Sequence, residues 1–398
     1  MWEQITTGLS DGVLVNSRFT LAAFQRTFHL LAWGGLVPRV LYPCIDTAGP
    51  AASLPPPPST APRVLLSINR FERKKEVAVA IRAFAAAVGS AAGAGGSTAA
   101  AAEWHMVVAG GYDTRLEENV AYFEELCKLA GELGLLAHKQ SSANSSTSST
   151  SSGSGIGSNW KKKGGQHHHQ HQHQQEGLVE APPGEALPRG LLPGFSPTPA
   201  LGGAYAQVLC GARITFVRSF SDAQKTALLG AASAIAYTPP NEHFGIVPLE
   251  CMAAGRPVVC DASGGPLESV VPPAGEARGA RGGAGGATGW LCAGGQAGWD
   301  AAIANLIALP PRALGEVGRA GRAHVQAHFS RGAFARALEG HCVGLVRGGG
   351  GGGVGVGVRV LLWALLWALG VVVPVALGAG GGALAARLLR AGLAARGQ

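Results

Sequence analysis

Two glutamates with seven residues between them, Glu242 and Glu250, are the side chains best suited to sugar chemistry. A carboxylate is a natural acceptor for a pair of sugar hydroxyls, so two carboxylates could hold two different sugars. The same spacing occurs at 117/125, 124/132 and 268/276, so spacing alone does not identify a site. The pair at 242 and 250 differs because it follows an apolar run that predicts a strand and enters a segment that predicts a helix.

The segment between these glutamates favours a helix start that faces an anion. Gly245 permits close backbone approach, and Pro248 suits the first turn of a helix. The free N–H groups and the positive dipole end of such a helix attract phosphate groups. Gly264 and Gly265 are expected to bring backbone amides close to the same anionic ligand. We interpret His243 as a loop residue rather than as an acid or a base.

Arg70 and Lys75 follow the apolar run VLLSI, at a predicted strand end and at the start of the next helix. Arginine as a bidentate fork and lysine as a point charge can neutralise a diphosphate without a metal ion. On spacing alone, a basic helix start exposed to solvent is the favoured interpretation.

These candidate residues lie in loops between segments that alternate between strand and helix patterns. Amphipathic segments of helix length, such as 74–86 and 115–134, separate short apolar runs. This alternation predicts an α/β, Rossmann-like domain over residues 63–345, with a parallel sheet covered on both faces and ligands bound at the carboxyl ends of its strands. The predicted strands are 64–68, 105–110, 214–217, 234–238 and 257–261.

The composition argues against a general nucleic-acid binder. Charged residues make up 14% of the 398-residue chain, against about 25% in ordinary domains. The net charge of +8 is concentrated in Lys161 to Lys163 and in the four arginines from Arg359 onward. The remainder is nearly neutral and lacks the basic face that phosphate-backbone binding requires. The 61 glycines and 24 prolines indicate long linkers or insertions.

No metal site and no disulfide framework are expected. The seven cysteines include no C-x2-C pair. The tract HHHQHQH (167–173) is rich in histidine, but metal ligands need a fixed geometry that a low-complexity tract lacks. We interpret it as part of a disordered surface insertion over residues 139–200.

Composition also divides the flanks of the domain. Residues 48–62 include a run of four prolines and predict a stiff linker. Residues 346–359 predict a Gly-rich tether, and residues 360–398 a membrane-associated tail with a hydrophobic helix. Residues 360–386 carry no charge and supply the roughly 20 apolar residues that cross a bilayer.

The arrangement of this tail leaves its topology open. Trp363 and Trp367 suit a membrane interface next to Arg359. Arginines on both flanks are compatible with a single span or with an in-plane segment, and a buried core helix is the alternative. The first residues, MWEQITTGLSDG, show no signal-peptide pattern, so we expect the bulk of the chain to lie in the cytosol.

Several longer motifs are shared with one enzyme family. They are NSRFT (16–20), VLYPCID (40–46), LLSINRFERKKEVAVAIRAF (65–84), VVAGGYDTRLEENVAYFEEL (107–126), ITFVRSFSDAQKTALL (214–229) and TPPNEHFGIVPLECMAAGRPVVCDASGGPLESV (238–270). Over roughly 5–135 and 205–345 the chain resembles glycosyltransferase family 4. Within that family it is most similar to the α-1,3/1,6-mannosyltransferases of the dolichol-linked oligosaccharide (N-glycan precursor) pathway.

The resemblance implies a GT-B fold, in which two Rossmann-like domains face each other across a cleft and residues 63–345 form the donor-binding domain. Three residues match the catalytic and diphosphate-binding positions of the family: Arg70, Lys75 and Glu242, the last contacting the donor sugar. The remaining donor-binding positions are the phosphate-facing helix start and the ribose-binding glutamate, namely Phe244, Gly245, Ile246, Val247 and Glu250.

The resemblance also implies the substrates. Mannose is transferred from GDP-mannose, with retention and without a cofactor or a required metal, to a dolichol-diphosphate-linked mannosyl-chitobiose, forming α-1,3 and α-1,6 linkages. The expected location is the endoplasmic reticulum membrane, in contact with membrane lipid and with the catalytic domain facing the cytosol. A complex with other mannosyltransferases of the dolichol pathway is a further expectation.

The N-terminal part departs from the family pattern. Residues 1–47 match only the closing strand-helix-strand of the family's N-terminal acceptor domain, so we expect a truncated chain that binds donor weakly and does not transfer. A genuine short form is the alternative. The alternative functions are a non-catalytic nucleotide-sugar-binding or scaffolding fragment, and a family 4 glycosyltransferase that uses a different donor.

Overall fold

A computed structural model gives the fold of this chain. It describes residues 2–8, 10, 12–57, 62–93, 103–136, 178–179, 207–210, 213–273, 286–347, 361 and 364–365. Most of the predicted insertion and of the predicted tether lies outside the described residues. The predicted tail lies outside them as well, except for positions 361, 364 and 365.

Among the described residues, a sheet of eight strands forms the centre of the molecule, and a separate two-stranded sheet lies near the N-terminus. The strands are β1 (Leu14–Val15), β2 (Arg39–Val40), β3 (Arg63–Ile68), β4 (Trp104–Gly110), β5 (Leu178–Val179), β6 (Gln207–Cys210), β7 (Ile214–Arg218), β8 (Ala232–Tyr237), β9 (Val258–Asp261) and β10 (Gly289–Cys292).

The large sheet has the order β10-β9-β8-β3-β4-β7-β6-β5. The first six strands in that order are parallel to one another, whereas at the edge β6 pairs antiparallel with β7 and β5 pairs antiparallel with β6. The predicted α/β class with a parallel sheet is therefore confirmed. All five predicted strands are present, and their ends differ from the predicted ones by at most two residues.

Three strands of the sheet were not predicted. Strand β10 is short and begins with Gly289, so its apolar run is too brief to be recognised. Strand β5 lies inside the stretch 139–200 that we interpreted as disordered, and it pairs with β6. Two residues of that stretch are therefore ordered as an edge strand, and the rest of it lies outside the described residues.

Helices pack on both faces of the large sheet and bury its apolar side chains. They are α1 (Trp2–Gly8), α2 (Arg18–Thr27), α3 (His29–Trp33), α4 (Val77–Gly93), α5 (Glu117–Glu132), α6 (Asp222–Ala231), α7 (Ile246–Ala253), α8 (Pro266–Ser269), α9 (Gln296–Ala308), α10 (Pro311–His328) and α11 (Arg331–Arg347), with 3-10 turns at Pro50–Ser53 and Arg73–Lys75.

Successive residues of each central strand enter two different apolar cores. In β3, Leu65 packs with α4, α5 and α9, whereas Leu66 packs on the other face with α6, α7 and the end of α10. Every residue of β3 is buried. Because a parallel sheet is covered on both faces, its strands are continuous apolar runs, and this is why they are recognisable in the sequence.

The N-terminal segment forms a small unit that packs against the rest of the chain. Strands β1 and β2 pair in parallel, so each strand meets the backbone hydrogen bonds of the other along one edge. The backbone N–H of Ile45 donates to the carbonyl of Phe329 at 2.9 Å. His341 of α11 places its Nε2 atom 3.3 Å from the carbonyl of Val40.

No helix within the described residues has both the length and the apolar character needed to span a bilayer. The predicted hydrophobic tail is not covered by that finding, because almost all of it lies outside those residues.

A buried histidine makes the stability of the sheet sensitive to pH. His105 in β4 is 7% exposed, and its Nε2 atom lies 2.8 Å from Thr215 Oγ1 in β7. Burial, assisted by the charge of Arg213, lowers the pKa of this imidazole from 6.5 to about 4. Because the folded-state pKa lies below the unfolded-state value, protonation favours the unfolded chain. The stability is therefore complete above pH 6.5 and decreases as the pH falls toward 4.

We expect His105 alone to reduce the free energy of unfolding by on the order of 3 kcal/mol between pH 7 and pH 4. His105→Gln keeps a hydrogen-bonding group beside Thr215 and cannot titrate, so its stability should depend less on pH in this window. Urea denaturation at closely spaced pH values measures both proteins. An equal loss of stability in wild type and variant would show that this imidazole is not the responsible group.

Candidate functional site

The predicted site residues come together at the carboxyl edge of the parallel sheet. Strands β3, β8 and β9 are neighbours and run in the same direction, so the loops that follow them open on one side. The loop after β3 carries Arg70 and Lys75, and the loop after β8 carries Glu242. The loop after β9 carries Gly264 and Gly265 in the sequence SGGP (263–266), which we call the SGGP turn. Helix α7 begins between the last two loops.

Lys75 and Glu242 form an ion pair across this edge. Lys75 ends the 3-10 turn after β3, and its backbone carbonyl accepts a hydrogen bond of 2.5 Å from Thr238 Oγ1. The two side chains are 18% and 26% exposed. Partial burial strengthens their attraction relative to a pair in open solvent, while the remaining exposure leaves both groups accessible to a ligand.

A second lysine–glutamate pair lies on α7. Glu250 in this helix accepts a hydrogen bond of 2.5 Å from Lys225 Nζ of α6, and the two side chains are 30% and 23% exposed. Lys225 was not among the predicted site residues. A capping box in which Ser221 and Gln224 bond reciprocally fixes the start of α6 and hence the position of this lysine.

The start of α7 is open to a ligand. Its N-cap residue, Gly245, has a φ of 80°, and no side chain caps the helix. The first-turn amides are therefore left to solvent or to a bound anion. Ile246 is 47% exposed and Val247 is half-buried beside these amides, whereas the Phe244 side chain is buried. Phe244 therefore contributes its backbone to the helix start and its ring to the core.

Gly245 rests on a buried tyrosine. A Cβ atom at Gly245 would lie 3.3 Å from Cε1 of Tyr237, the last residue of β8. Burial, together with the negative charge of Glu242, raises the pKa of the Tyr237 hydroxyl. The Tyr237 side chain is therefore uncharged where it packs against Gly245 at the start of α7.

Arg70 is placed differently from Lys75. Its side chain is 74% exposed, and its nearest acidic partner is Glu72, at 3.6 Å. The structure thus brings Lys75 into contact with Glu242 and leaves Arg70 at the solvent side of the same edge. From spacing alone we favoured a basic segment exposed to solvent. Arg70 has that conformation, whereas Lys75 is partly buried in the ion pair with Glu242.

The two glycines of the SGGP turn act on the protein backbone. Gly264 has a φ of 58°, and a Cβ atom there would collide with the backbone of Glu242. A Cβ atom at Gly265 would collide with the backbone of Phe244. The Gly265 N–H donates to the Glu242 carbonyl at 2.8 Å. We expected these amides to face an anionic ligand; the amide of Gly265 instead holds the loop that carries Glu242.

The described residues contain no group of three or more His, Cys, Asp or Glu side chains arranged to hold a metal ion. Positive charge at this edge is carried by Lys75 and by the exposed Arg70.

The sequence of this region is similar to a family of glycosyltransferases. Residues 205–314, which include α6, α7 and both glutamates, match the family described as Glycosyl transferases group 1. A solved sucrose-phosphate synthase from Thermosynechococcus elongatus superimposes with a TM-score of 0.50 at 18% identity, covering 86% of this chain and 60% of that one. This likeness supports a GT-B-like arrangement of the sheet.

Among individual proteins, the chain is similar to α-1,3/1,6-mannosyltransferases. It is 31% identical to human α-1,3/1,6-mannosyltransferase ALG2, covering 84% of this chain and 59% of that protein. It is 33% identical to the ALG2 protein of Rhizomucor pusillus, covering 85% of this chain and 58% of that protein. These matches confirm the resemblance predicted from the motifs. The chain spans less than two thirds of the length of these relatives.

The contact between the SGGP turn and the loop that carries Glu242 gives a direct test. Gly265 has helical backbone angles, φ −63° and ψ −36°, which alanine adopts easily, so Gly265→Ala tests only the space for a methyl group. We expect it to lower the free energy of unfolding by about 1–3 kcal/mol, as overpacking does. Thermal and urea denaturation measure the change.

Gly315→Ala is the matched control. Gly315 lies in α10, and a Cβ atom there has nothing within 4 Å. The control should stabilise the protein by about 0.5–1 kcal/mol, because alanine loses less backbone entropy in a helix than glycine does. A Gly265→Ala protein as stable as wild type would contradict the packing described for the SGGP turn.

Proposed function

We propose that this chain binds GDP-mannose at the edge formed by Lys75, Glu242 and the start of α7, and that it belongs to a mannosyltransferase of N-glycan precursor assembly. The observation that carries this proposal is the Lys75–Glu242 ion pair beside an uncapped helix start. The similarity to proteins named α-1,3/1,6-mannosyltransferase supports the choice of sugar.

The ion pair suggests how the donor is received. A diphosphate carries more negative charge than a carboxylate, so it competes for the ammonium group of Lys75 and is attracted further by the amino end of α7. Glu242 then loses its cationic partner and accepts hydrogen bonds from hydroxyls of the transferred sugar. Arg70, which is exposed at the same edge, closes on the diphosphate from the solvent side.

Glu250 has a different task. It lies inside α7, beyond the helix start that faces the phosphates, and its carboxylate is oriented by Lys225. A carboxylate held in this way is suited to accept hydrogen bonds from the two hydroxyls of the nucleotide ribose. The two glutamates therefore divide the donor between them, one at the sugar and one at the nucleoside.

In the reaction we propose, an acceptor hydroxyl forms the new bond to the anomeric carbon of mannose while the bond to the diphosphate breaks. The hydroxyl proton passes to the departing GDP, and the configuration is retained. Lys75 and Arg70 stabilise the negative charge that develops on the diphosphate, so no metal is required. The acceptor is a dolichol-diphosphate-linked mannosyl-chitobiose, and the links formed are α-1,3 and α-1,6.

We place the reaction at the cytosolic face of the endoplasmic reticulum, with residues 360–398 in contact with membrane lipid and with other dolichol-pathway mannosyltransferases as partners. A nucleotide-sugar-binding fragment without transfer is the second candidate, since the chain covers only 59% of human ALG2. Incubation with GDP-mannose and the lipid-linked acceptor, followed by analysis of the glycan, distinguishes them. Titration with GDP-mannose, GDP-glucose and UDP-glucose tests the donor.

Charge neutralisation by Lys75 predicts a binding defect without metal dependence. Lys75→Met preserves the length of the side chain and removes its charge, so the dissociation constant for GDP-mannose should rise by about tenfold to a hundredfold. Lys74→Met is the matched control, because this neighbouring lysine is 71% exposed and pairs with Glu72. Calorimetric titration with and without EDTA measures the dissociation constants and shows whether binding depends on a metal ion. Binding that EDTA abolishes and manganese restores would exclude the metal-free proposal.

The division of the donor between two glutamates predicts two distinguishable defects. Glu250→Gln should weaken GDP and GDP-mannose to a similar extent, because both ligands carry the ribose. Glu242→Gln should weaken the binding of GDP-mannose but not that of GDP, because it removes a contact to the sugar and also removes the carboxylate that competes for Lys75. Glu124→Gln, in the equally spaced but exposed pair on α5, is the control. Unchanged GDP affinity in Glu250→Gln would show that this residue does not contact the nucleoside.

A further inference from the structure

A hydrogen-bonded circuit connects the N-terminal segment to the loop that carries Glu242. We call residues 241–245 the donor loop and residues 16–20, NSRFT, the N-terminal turn. The N-terminal turn precedes and starts α2, and it contacts the donor loop through His243 and helix α8 through Glu268. The proposed function assigns no role to this turn.

Thr20 holds the imidazole ring of His243. Thr20 Oγ1 donates a hydrogen bond of 2.6 Å to Asn16 Oδ1 and lies 3.0 Å from His243 Nδ1. The Thr20 hydroxyl therefore joins the His243 ring to Asn16 at the start of α2. The ring also packs edge-on against Phe19, with a centroid distance of 5.6 Å.

Ser17 holds the backbone of the same residue. Its side chain is the N-cap of α2, where Oγ accepts a hydrogen bond of 2.9 Å from the backbone N–H of Thr20. The hydroxyl proton of Ser17 is donated to the backbone carbonyl of His243. Ser17 is fully buried at this contact. One turn of chain thus fixes both the ring and the carbonyl of His243.

Glu268 fixes the position of the turn itself. Its carboxylate accepts hydrogen bonds from the backbone N–H groups of Arg18 at 2.9 Å and Phe19 at 3.0 Å, and from the hydroxyl of Tyr42 at 2.9 Å. A carboxylate is favourable at the amino end of α2, where the first N–H groups have no partner within the helix. The turn is therefore attached to the donor-binding domain on two sides.

The circuit closes at Glu242. The N–H of Gly265, three residues before Glu268, donates to the Glu242 carbonyl at 2.8 Å. The donor loop is thus held by the SGGP turn at Glu242 and by the N-terminal turn at His243. Between these two attachments, the side chain of Glu242 extends to Lys75 and forms the ion pair.

We infer that the N-terminal turn is a positioning element for the donor sugar: Thr20 and Ser17, acting through His243, fix the direction of the Glu242 carboxylate. This inference rests on the proposed function, in which Glu242 contacts the sugar of GDP-mannose. It makes recognition of the sugar, but not of the nucleotide, dependent on residues distant in sequence from the donor loop. A merely structural interface would affect both ligands alike.

The test compares three variants of the full chain by calorimetric titration with GDP and with GDP-mannose. Thr20→Val removes the hydroxyl and keeps the shape of the side chain, Thr20→Ser keeps the hydroxyl, and Thr27→Val makes the same change at the exposed end of α2. Loss of one positioning hydrogen bond should weaken GDP-mannose by about three- to tenfold in Thr20→Val. GDP affinity should stay within about twofold of wild type, and both controls should match wild type for both ligands.

Hydrogen–deuterium exchange of the peptide covering 239–247 separates failure of the inference from failure of the proposed function. We expect faster exchange in Thr20→Val than in Thr20→Ser, whether or not a nucleotide binds. If GDP-mannose binds wild type and Thr20→Val equally, or if both ligands weaken equally, the inference is overturned while the proposed function stands. Absence of GDP-mannose binding to wild type refutes the proposed function, and unchanged exchange then also refutes the circuit.

Discussion

The candidate site depends on the close approach of two backbone segments at the carboxyl edge of the sheet. The SGGP turn after β9 lies so near the donor loop after β8 that a methyl group at Gly264 or Gly265 would overlap the backbone of Glu242 or Phe244. Gly264 also adopts a positive φ that favours glycine. Because the loops are in contact here, the backbone at Glu242 is held in place close to the start of α7.

The electrostatic design follows from that geometry. The site holds two lysine–glutamate pairs, Lys75 with Glu242 and Lys225 with Glu250, and each is partly exposed. Partly exposed pairs contribute little net stability, because attraction is offset by loss of solvation. Such pairs can therefore exchange partners when a ligand with stronger charge arrives. The charges that organise this site are the same ones that our proposal assigns to the diphosphate and the sugar.

The parallel sheet could be predicted from the sequence, and so could the site residues that directly follow its strands. The central strands were predictable because burial on both faces makes them continuous apolar runs, as in β3. Glu242 and Lys75 were recognisable from motifs that follow such runs. The partner of Glu250 was not, because Lys225 comes from another helix and its direction depends on how α6 packs against α7. Glu268 and the N-terminal turn are about 250 positions apart, and no local pattern reveals such a contact. The edge strand β5 was missed because it lies in a segment whose composition is typical of disorder.

A crystal structure of the chain with GDP-mannose tests the central claim most directly, namely that the Lys75–Glu242 pair is the receiving point for the donor. The account predicts that the diphosphate lies at the amino end of α7 with Lys75 Nζ in hydrogen-bonding distance of a phosphate oxygen. It also predicts that Glu242 has turned from Lys75 to hydroxyls of the mannose ring. A complex in which the Lys75–Glu242 ion pair is intact and the diphosphate is bound elsewhere on the domain would contradict it.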